Sequence, residues 1–421
     1  MTSDAPYLIV GASLAGAKAA ETLRGEGFDG PLIMVGAEHE RPYERPPLSK
    51  DYLLGKADRE TVYVHPEHWY AEHQVDLRLG TPVTAIDRAA RSVAFDGGEL
   101  SYDKLAITTG ASARRIPVPG ADLGNVLYLR TLAESEALQA AFRPQARVVI
   151  IGAGWIGLEA AAAARQAGSS VTIVEPQPTA LYAAVGPEIG EKFADLHRAH
   201  GVVFRFGESS TEFRPAEVAG KLPSAGESRE GWPVGWVVTD SGAELPADVV
   251  AVGIGAVPND GLARAAGLDV DNGVLTDAAL RTSDPNVFAA GDVANSYLPL
   301  VGHRVRLDHW SNALNGGQAV AKSMLGQPVE YNRVPYFYSD QYELGMECSG
   351  LPSPGTYDQV VYRGDSAALE FIACWLKEDR LVAGMNINVW DVTDDLQALI
   401  RSGRPLDPTR LADPAIPLSE V

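Results

Sequence analysis

The sequence predicts an α/β protein: two parallel-sheet, doubly wound units that each suit a dinucleotide, followed by a smaller α+β domain. Three observations predict it. An apolar strand running into a glycine-rich turn and an Ala-rich helix occurs twice, with the first glycines 141 residues apart. An acidic residue follows each copy at the end of a second apolar strand. Past Gly326 the Ala-rich texture gives way to short aromatic runs, such as 336–338 and 371–376, which suit an antiparallel sheet.

The elements follow in chain order. Residues 7–10 (Tyr-Leu-Ile-Val) read as a buried parallel strand that runs into Gly11-Ala-Ser13-Leu-Ala15-Gly16, with a helix over 17–24. The first glycine permits the tight turn. The second position must be small so that the backbone approaches a pyrophosphate, and the third lets helix pack closely on strand. Ser13 makes this copy imperfect. Residues 32–35 are the next strand, with Glu38 the matching carboxylate 27 positions after Gly11. Residues 41–50 are rich in proline and cations and include Arg45 and Lys50. The prolines stiffen the segment, which could direct Lys50 at a cofactor, although a lone lysine is ordinarily solvated. A strand beginning at Leu105 closes on Thr108-Thr109-Gly110.

The second copy is complete: 148–151 runs into Gly152-Ala-Gly154-Trp155-Ile156-Gly157, with a helix over 158–166. The strand at 171–174 ends in Glu175, 23 positions after Gly152. A carboxylate there accepts from an adenosine ribose and repels a 2′-phosphate, and 176–179 carry no cation to hold that phosphate. The expected nucleotide is therefore NADH. A further strand ends at Gly255, and residues 287–292 form a short buried strand ending in Gly291-Asp292. Asp292 suits either the ribityl chain of a flavin or a helix N-cap. A helix is expected over 311–325, after Trp310. Residues 226–235, rich in glycine and charge, read as an exposed hairpin loop.

Composition narrows the function. With 35 basic and 55 acidic side chains the net charge is −20, which argues against a nucleic-acid coat and a polybasic membrane anchor. Cys348 and Cys374 are the only cysteines. No CxxC or Cys/His cluster exists, so protein-bound zinc or iron–sulfur is not expected, and a redox-active cysteine pair in the first domain is excluded. No apolar run reaches the roughly 18 residues of a membrane span. No secretory leader is read, so the expected compartment is the cytoplasm. Two dinucleotide sites in one chain have a direct chemical meaning: one holds FAD, and the other a nicotinamide that reduces it.

The motifs at 11–16, 45–50, 128–131, 152–159, 253–259, 291–292 and 339–342 together resemble those of FAD-dependent, NADH-linked ferredoxin reductases of bacterial monooxygenase and dioxygenase systems. The glycine motifs belong to the wider group of two-dinucleotide flavoproteins; 45–50 and 339–342 (Ser-Asp-Gln-Tyr) are more specific. The resemblance implies a split FAD domain at 1–112 and 248–322, an NADH domain at 113–247 and a C-terminal domain at 323–421. It implies FAD contacts from Gly11, Ser13, Ala15, Gly16, Glu38, Arg45, Lys50, Val83, Thr109, Gly110, Arg130, Asp292, Trp310 and Tyr338. NADH contacts are implied from Gly152, Gly154, Trp155, Ile156, Gly157, Glu175 and Gly255. Lys50 and Glu159 resemble a catalytic pair near flavin N5, and Tyr338 either stacks on the ring system or is a core tyrosine.

The implied reaction passes hydride from NADH to FAD, then single electrons to a 2Fe–2S ferredoxin. That carrier feeds a haem-thiolate monooxygenase or a ring dioxygenase. Arg41, Arg45, Arg304, Arg306 and Arg333 are candidate docking cations for the acidic carrier. An NADH:quinone or oxygen oxidoreductase on the same fold is the alternative, because an acceptor surface leaves no motif.

Overall fold

The computed structural model describes residues 5–218, 221 and 231–421. The part of the expected loop at 226–230 lies outside the described residues. The chain divides into two compact units. One comprises 1–45, 58–112 and 256–335, and the other 46–57, 113–255 and 336–421.

The first unit is built on a five-stranded parallel sheet in the order Val287–Ala289, Lys104–Ile107, Tyr7–Val10, Leu32–Val35, Val75–Arg78. Apart from the edge strand Val75–Arg78, the strands are short, mostly apolar runs because both faces are covered. On one face the helices Leu14–Gly25 and Trp310–Met324 bury Ala19, Ala20, Leu23, Val320 and Met324 against Ile9, Met34 and Phe288. The two helices touch backbone to backbone: a Cβ on Gly317 would lie 2.4 Å from the Ala15 carbonyl oxygen. The other face is closed by an antiparallel meander of Val83–Asp87, Ser92–Phe95 and Gly98–Ser101, whose Ile86 and Val93 join Leu8, Val10 and Ile107.

The second unit contains a matching parallel sheet, ordered Val202–Phe206, Ser170–Glu175, Arg147–Ile151, Val249–Val252, Val126–Tyr128. Helix Trp155–Gln166 fills its crossover with small side chains from Ala160 to Ala164, all buried. The same unit holds an antiparallel sheet ordered Tyr336–Gln341, Leu344–Gly350, Arg380–Ile387, Glu370–Lys377, Gln359–Asp365. Its alternating pattern buries Met346, Cys348, Phe371, Ala373 and Trp375 against the helical layer. The opposite face packs on helices Thr393–Ser402 and Pro408–Ala412 through Leu376, Leu396 and Leu411. The buried Arg363 guanidinium donates to the carbonyls of Leu411, Asp413, Pro414 and Ile416 and so fastens the C-terminal segment.

These boundaries differ from the expected ones in three places. Strand Val249–Val252 lies beside Arg147–Ile151, so 248–255 belongs with the second sheet rather than the first. Pairing partners cannot be read from an apolar run, and an inner strand of either sheet would look alike. Residues 323–335 stay with the first unit. The proline-rich stretch 46–57 belongs to the second unit, where the Leu48 carbonyl accepts from Ser135 at 2.8 Å and the Tyr52 hydroxyl donates to Glu136 at 2.7 Å.

Candidate functional site

In the first unit the strand Tyr7–Val10 delivers the chain into a turn at Gly11, whose φ is +122°. A Cβ there would lie 2.2 Å from the Thr108 carbonyl oxygen, so only glycine fits. Ser13 is the extended N-cap residue of helix Leu14–Gly25 and makes no side-chain capping bond, which leaves the first-turn amides available to an anion. Gly16 meets the Gly11 carbonyl, the close helix–strand contact expected of the third position.

Other expected FAD residues gather in the same unit. Ala15 packs beside Gly291, which opens the turn carrying the buried Asp292. Glu38 accepts from the Tyr43 hydroxyl at 2.6 Å and pairs with Arg45 at 3.4 Å. Crowding works against the Arg45 charge, but Tyr43, Glu38 and Asp292 together outweigh it and raise its pKa. Those acidic groups are therefore within electrostatic reach of one guanidinium. Thr109 donates to the Asn259 carbonyl at 2.9 Å, and Asn259 returns a bond to the Thr109 carbonyl at 2.8 Å. The Asn259 amide also donates to Gly110, which fixes that turn. Val83 is half-buried at the start of its strand. Trp310 is the first residue of its helix.

The second unit repeats the turn. A Cβ on Gly157 would lie 2.1 Å from the Gly152 carbonyl oxygen, whereas one on Gly154 would meet nothing within 4 Å. The open side of Gly154 is what close approach by a pyrophosphate requires. The Glu175 carboxylate accepts from the Ala153 amide at 2.7 Å and from the Gln177 amide at 2.9 Å. It is thus held at the fingerprint turn. Ile156 is solvent-exposed at the first turn of the helix. Trp155 turns inward, with its ring 5.4 Å from Phe193 and 5.2 Å from Phe337. Gly255 has φ +99° and accepts from the Arg114 amide.

The most concentrated chemistry in this unit surrounds Glu159, on the second turn of helix Trp155–Gln166. It is buried and accepts from three side chains: Lys50 and Ser339 on one oxygen and Ser49 on the other. The Ser339 bond is 2.6 Å long. Lys50 Nζ also lies 5.5 Å from the centroid of the Tyr338 ring. The expected pair thus forms, and the Pro46–Ser49 turn pinned to helix Leu132–Ala141 positions it. That helix starts with a capping box between Thr131 and Glu134, directly after the half-buried Arg130.

Sequence reasoning singled out Lys50 and Glu159 but gave no role to Ser49, Ser339, Gln341 or His197. Gln341 donates to Ser339 at 3.0 Å, and His197 Nε2 lies 2.8 Å from the Gln341 oxygen. The 339–342 motif carried a signal for two of these residues. Nothing in the sequence marks His197, which lies near the end of an amphipathic helix. The candidate docking cations are less free than their sequence suggests. Arg41 pairs with Glu60, Arg45 with Glu38 and Arg306 with Asp308, while Arg304 donates to the Thr276 carbonyl. Arg333 is exposed.

Comparison with known proteins agrees with this geometry. Residues 5–317 match the family model described as pyridine nucleotide-disulphide oxidoreductase, and 336–421 match the one described as reductase C-terminal. The chain is 40% identical to the ferredoxin–NAD(+) reductase component of the anthranilate 1,2-dioxygenase system of Burkholderia cepacia, covering 99% of each chain. It is 36% identical to putidaredoxin reductase of Pseudomonas putida, over 100% of this chain and 97% of that one. Among solved structures it superposes on the reductase of the covalent putidaredoxin reductase–putidaredoxin complex with a TM-score of 0.92, at 35% identity, over 100% of this chain and 98% of that one. Cys348 and Cys374 are both buried and free in the C-terminal sheet, so the disulphide chemistry in the family's description has no counterpart at either fingerprint. The chain therefore belongs to the pyridine nucleotide-disulphide oxidoreductase family, among its NAD(P)-dependent flavoprotein ferredoxin reductases of oxygenase systems.

Proposed function

We propose that this reductase binds FAD at the first fingerprint and NADH at the second, and supplies single electrons to a 2Fe–2S ferredoxin that serves a monooxygenase or ring dioxygenase. The observation that carries the reading is the pair of partly buried Lys50 with Glu159, whose buried carboxylate sits on the helix that the nicotinamide fingerprint opens. Bound FAD supplies the chemistry of taking a hydride from NADH and releasing electrons one at a time.

The chain's own residues position and balance charge. The open side of Gly154 and the N-terminus of helix Trp155–Gln166 receive the NADH pyrophosphate. Glu175 takes the adenosine ribose and disfavours a 2′-phosphate. Gly11, Ser13, Ala15 and Gly16 hold the FAD pyrophosphate, with Asp292, Arg45 and Trp310 as further contacts. Lys50 serves the hydride-accepting edge of the flavin. Glu159 keeps the ammonium oriented and balances its charge, so the cation costs little to keep in a partly buried place. Two sparse, buried cysteines fit work in the cytoplasm.

The test is NADH-driven cytochrome c reduction with and without a 2Fe–2S ferredoxin, with ferricyanide as the control for flavin reduction. Strong dependence on ferredoxin is expected. Ferricyanide reduction with no ferredoxin effect would move the acceptor to quinone or oxygen. Docking on the local cations is tested by neutralising Arg304 and Arg306, which is expected to weaken ferredoxin reduction and flatten its salt dependence.

A further inference from the structure

The network behind Glu159 has a direction, and its direction points to positioning residues remote from the reacting atoms. Four side chains run in series through the second unit: Glu159, Ser339, Gln341 and His197. All four are buried. Consecutive polar atoms lie 2.6, 3.0 and 2.8 Å apart.

An ionised carboxylate can only accept, so the Ser339 hydroxyl hydrogen must point at Glu159. Its oxygen is then left to accept, and the Gln341 Nε2 group donates to it. This orientation of the amide turns Oε1 towards His197. Oε1 can only accept, so His197 must carry its proton on Nε2. Every hydrogen in the series thus points towards Glu159, and the series ends at His197 Nδ1, a buried nitrogen with no hydrogen-bond partner. Around the imidazole stand Phe204 and Tyr342 in edge contacts, with His200 beyond. Around the other end stand Lys50 and Asp340. A buried acceptor left without a donor costs stability, and the imidazole offsets none of that cost by charge, because burial keeps it neutral.

We infer that His197 and Gln341 are positioning residues for the Lys50–Glu159 pair: they fix Ser339 as a donor to Glu159 and so fix the carboxylate that orients Lys50. The series transmits orientation and not protons, because the Gln341 amide cannot both release and recover a proton along it. The functional consequence rests on the reading that the pair serves the flavin.

Two measurements separate that reading from the relay. The first needs no cofactor. In histidine-¹⁵N-labelled apoprotein, His197 is expected as the pure Nε2–H tautomer. Glu159→Met, which removes the acceptor that orders the series, is expected to introduce the Nδ1–H tautomer although it leaves His197 untouched. A wild-type Nδ1–H tautomer, or a His197 signal indifferent to Glu159→Met, would overturn the relay. The second is single-turnover flavin reduction by NADH. Gln341→Leu and His197→Leu are expected to slow it about three- to tenfold, the size of one lost hydrogen bond, with NADH affinity unchanged. His197→Gln places an amide donor where Nε2 stood and is expected to restore the rate; if it stays as slow as His197→Leu, donation to Gln341 is not what matters. Should a leucine variant fail to fold, Ser339→Ala breaks the same series and must show the same slowing. Lys50→Met is the control for the underlying reading. If it leaves flavin reduction intact, that reading fails while the tautomer result still decides the relay.

Discussion

At the scale of single residues, the proposed choice of NADH over NADPH rests on Glu175. Its carboxylate is held by the Ala153 and Gln177 amides at the turn where the second fingerprint opens. Glu175→Ala would release that turn as well as the ribose contact, so Glu175→Gln is the cleaner change. It keeps the size and one acceptor oxygen but removes the charge. The KM for NADH is expected to rise about tenfold, the equivalent of about 1.4 kcal/mol for a charge-assisted hydrogen bond. NADPH is expected to gain little, because neutralising Glu175 supplies no cation for its extra phosphate. Steady-state KM values for both nucleotides check this, and an unchanged ratio would remove Glu175 from the site. The place of Glu175 beside the fingerprint turn was legible in the sequence because a fixed spacing separates it from Gly152. His197 was not, because its role depends on which strand its helix faces.

At the scale of elements, what was legible is what short range dictates. The strand Tyr7–Val10 and the two fingerprint helices follow from runs of apolar and small residues. The membership of Val249–Val252 in the second sheet, and of 46–57 in the second unit, follows from pairings that local pattern does not encode. The C-terminal sheet makes the same point. Its aromatic texture announced strands, but nothing announced that Arg363 would fasten the chain end by donating to four backbone carbonyls. Arg363→Met keeps the apolar stem and removes the donors. It is expected to cost at least about 2 kcal/mol, since bonds from a charged group to buried carbonyls are lost together. Hydrogen exchange should rise at 411–421 and leave the fingerprint strands unaffected; uniform exchange would show that the clamp is not local.

The same sheet decides the cysteines. Cys348 pairs with Met385 and Cys374 with Gly384 on strand Arg380–Ile387, and neither side chain reaches solvent. Burial pushes the Cys374 thiol up to about 12, with Arg363 opposing weakly, and raises Cys348 further. Neither thiol is expected to react with an aromatic disulfide reagent at pH 8 in the native protein, and both should react once it is unfolded in denaturant. A native thiol that reacted in seconds would reopen a redox role for the C-terminal sheet.

At the scale of the whole molecule, acid should weaken the protein before its carboxylates titrate. Burial lowers the His197 pKa to about 4, partly opposed by the Gln341 bond, and also lowers that of His309 to about 4, opposed by Asp292. In the unfolded chain each would take up a proton near its ordinary value of about 6.5. Between these values the unfolded state binds more protons than the folded one, so stability is fully present above about pH 6.5 and is lost as pH falls towards 4. For fully buried His197 the loss is on the order of 3 kcal/mol over that window. His309 keeps some solvent contact, so its share is smaller. Ordinary carboxylates titrate at about 4, which leaves the range from pH 6.5 to 5 to the histidines. The net charge of −20 works the other way, because acid relieves self-repulsion. That term is common to wild type and variant and cancels in their difference. Urea unfolding at pH 7 and pH 5 should therefore show a smaller acid loss for His197→Gln than for wild type. Equal losses would mean that His197 is protonated in the fold, which would also break the orientation argued for its Nδ1.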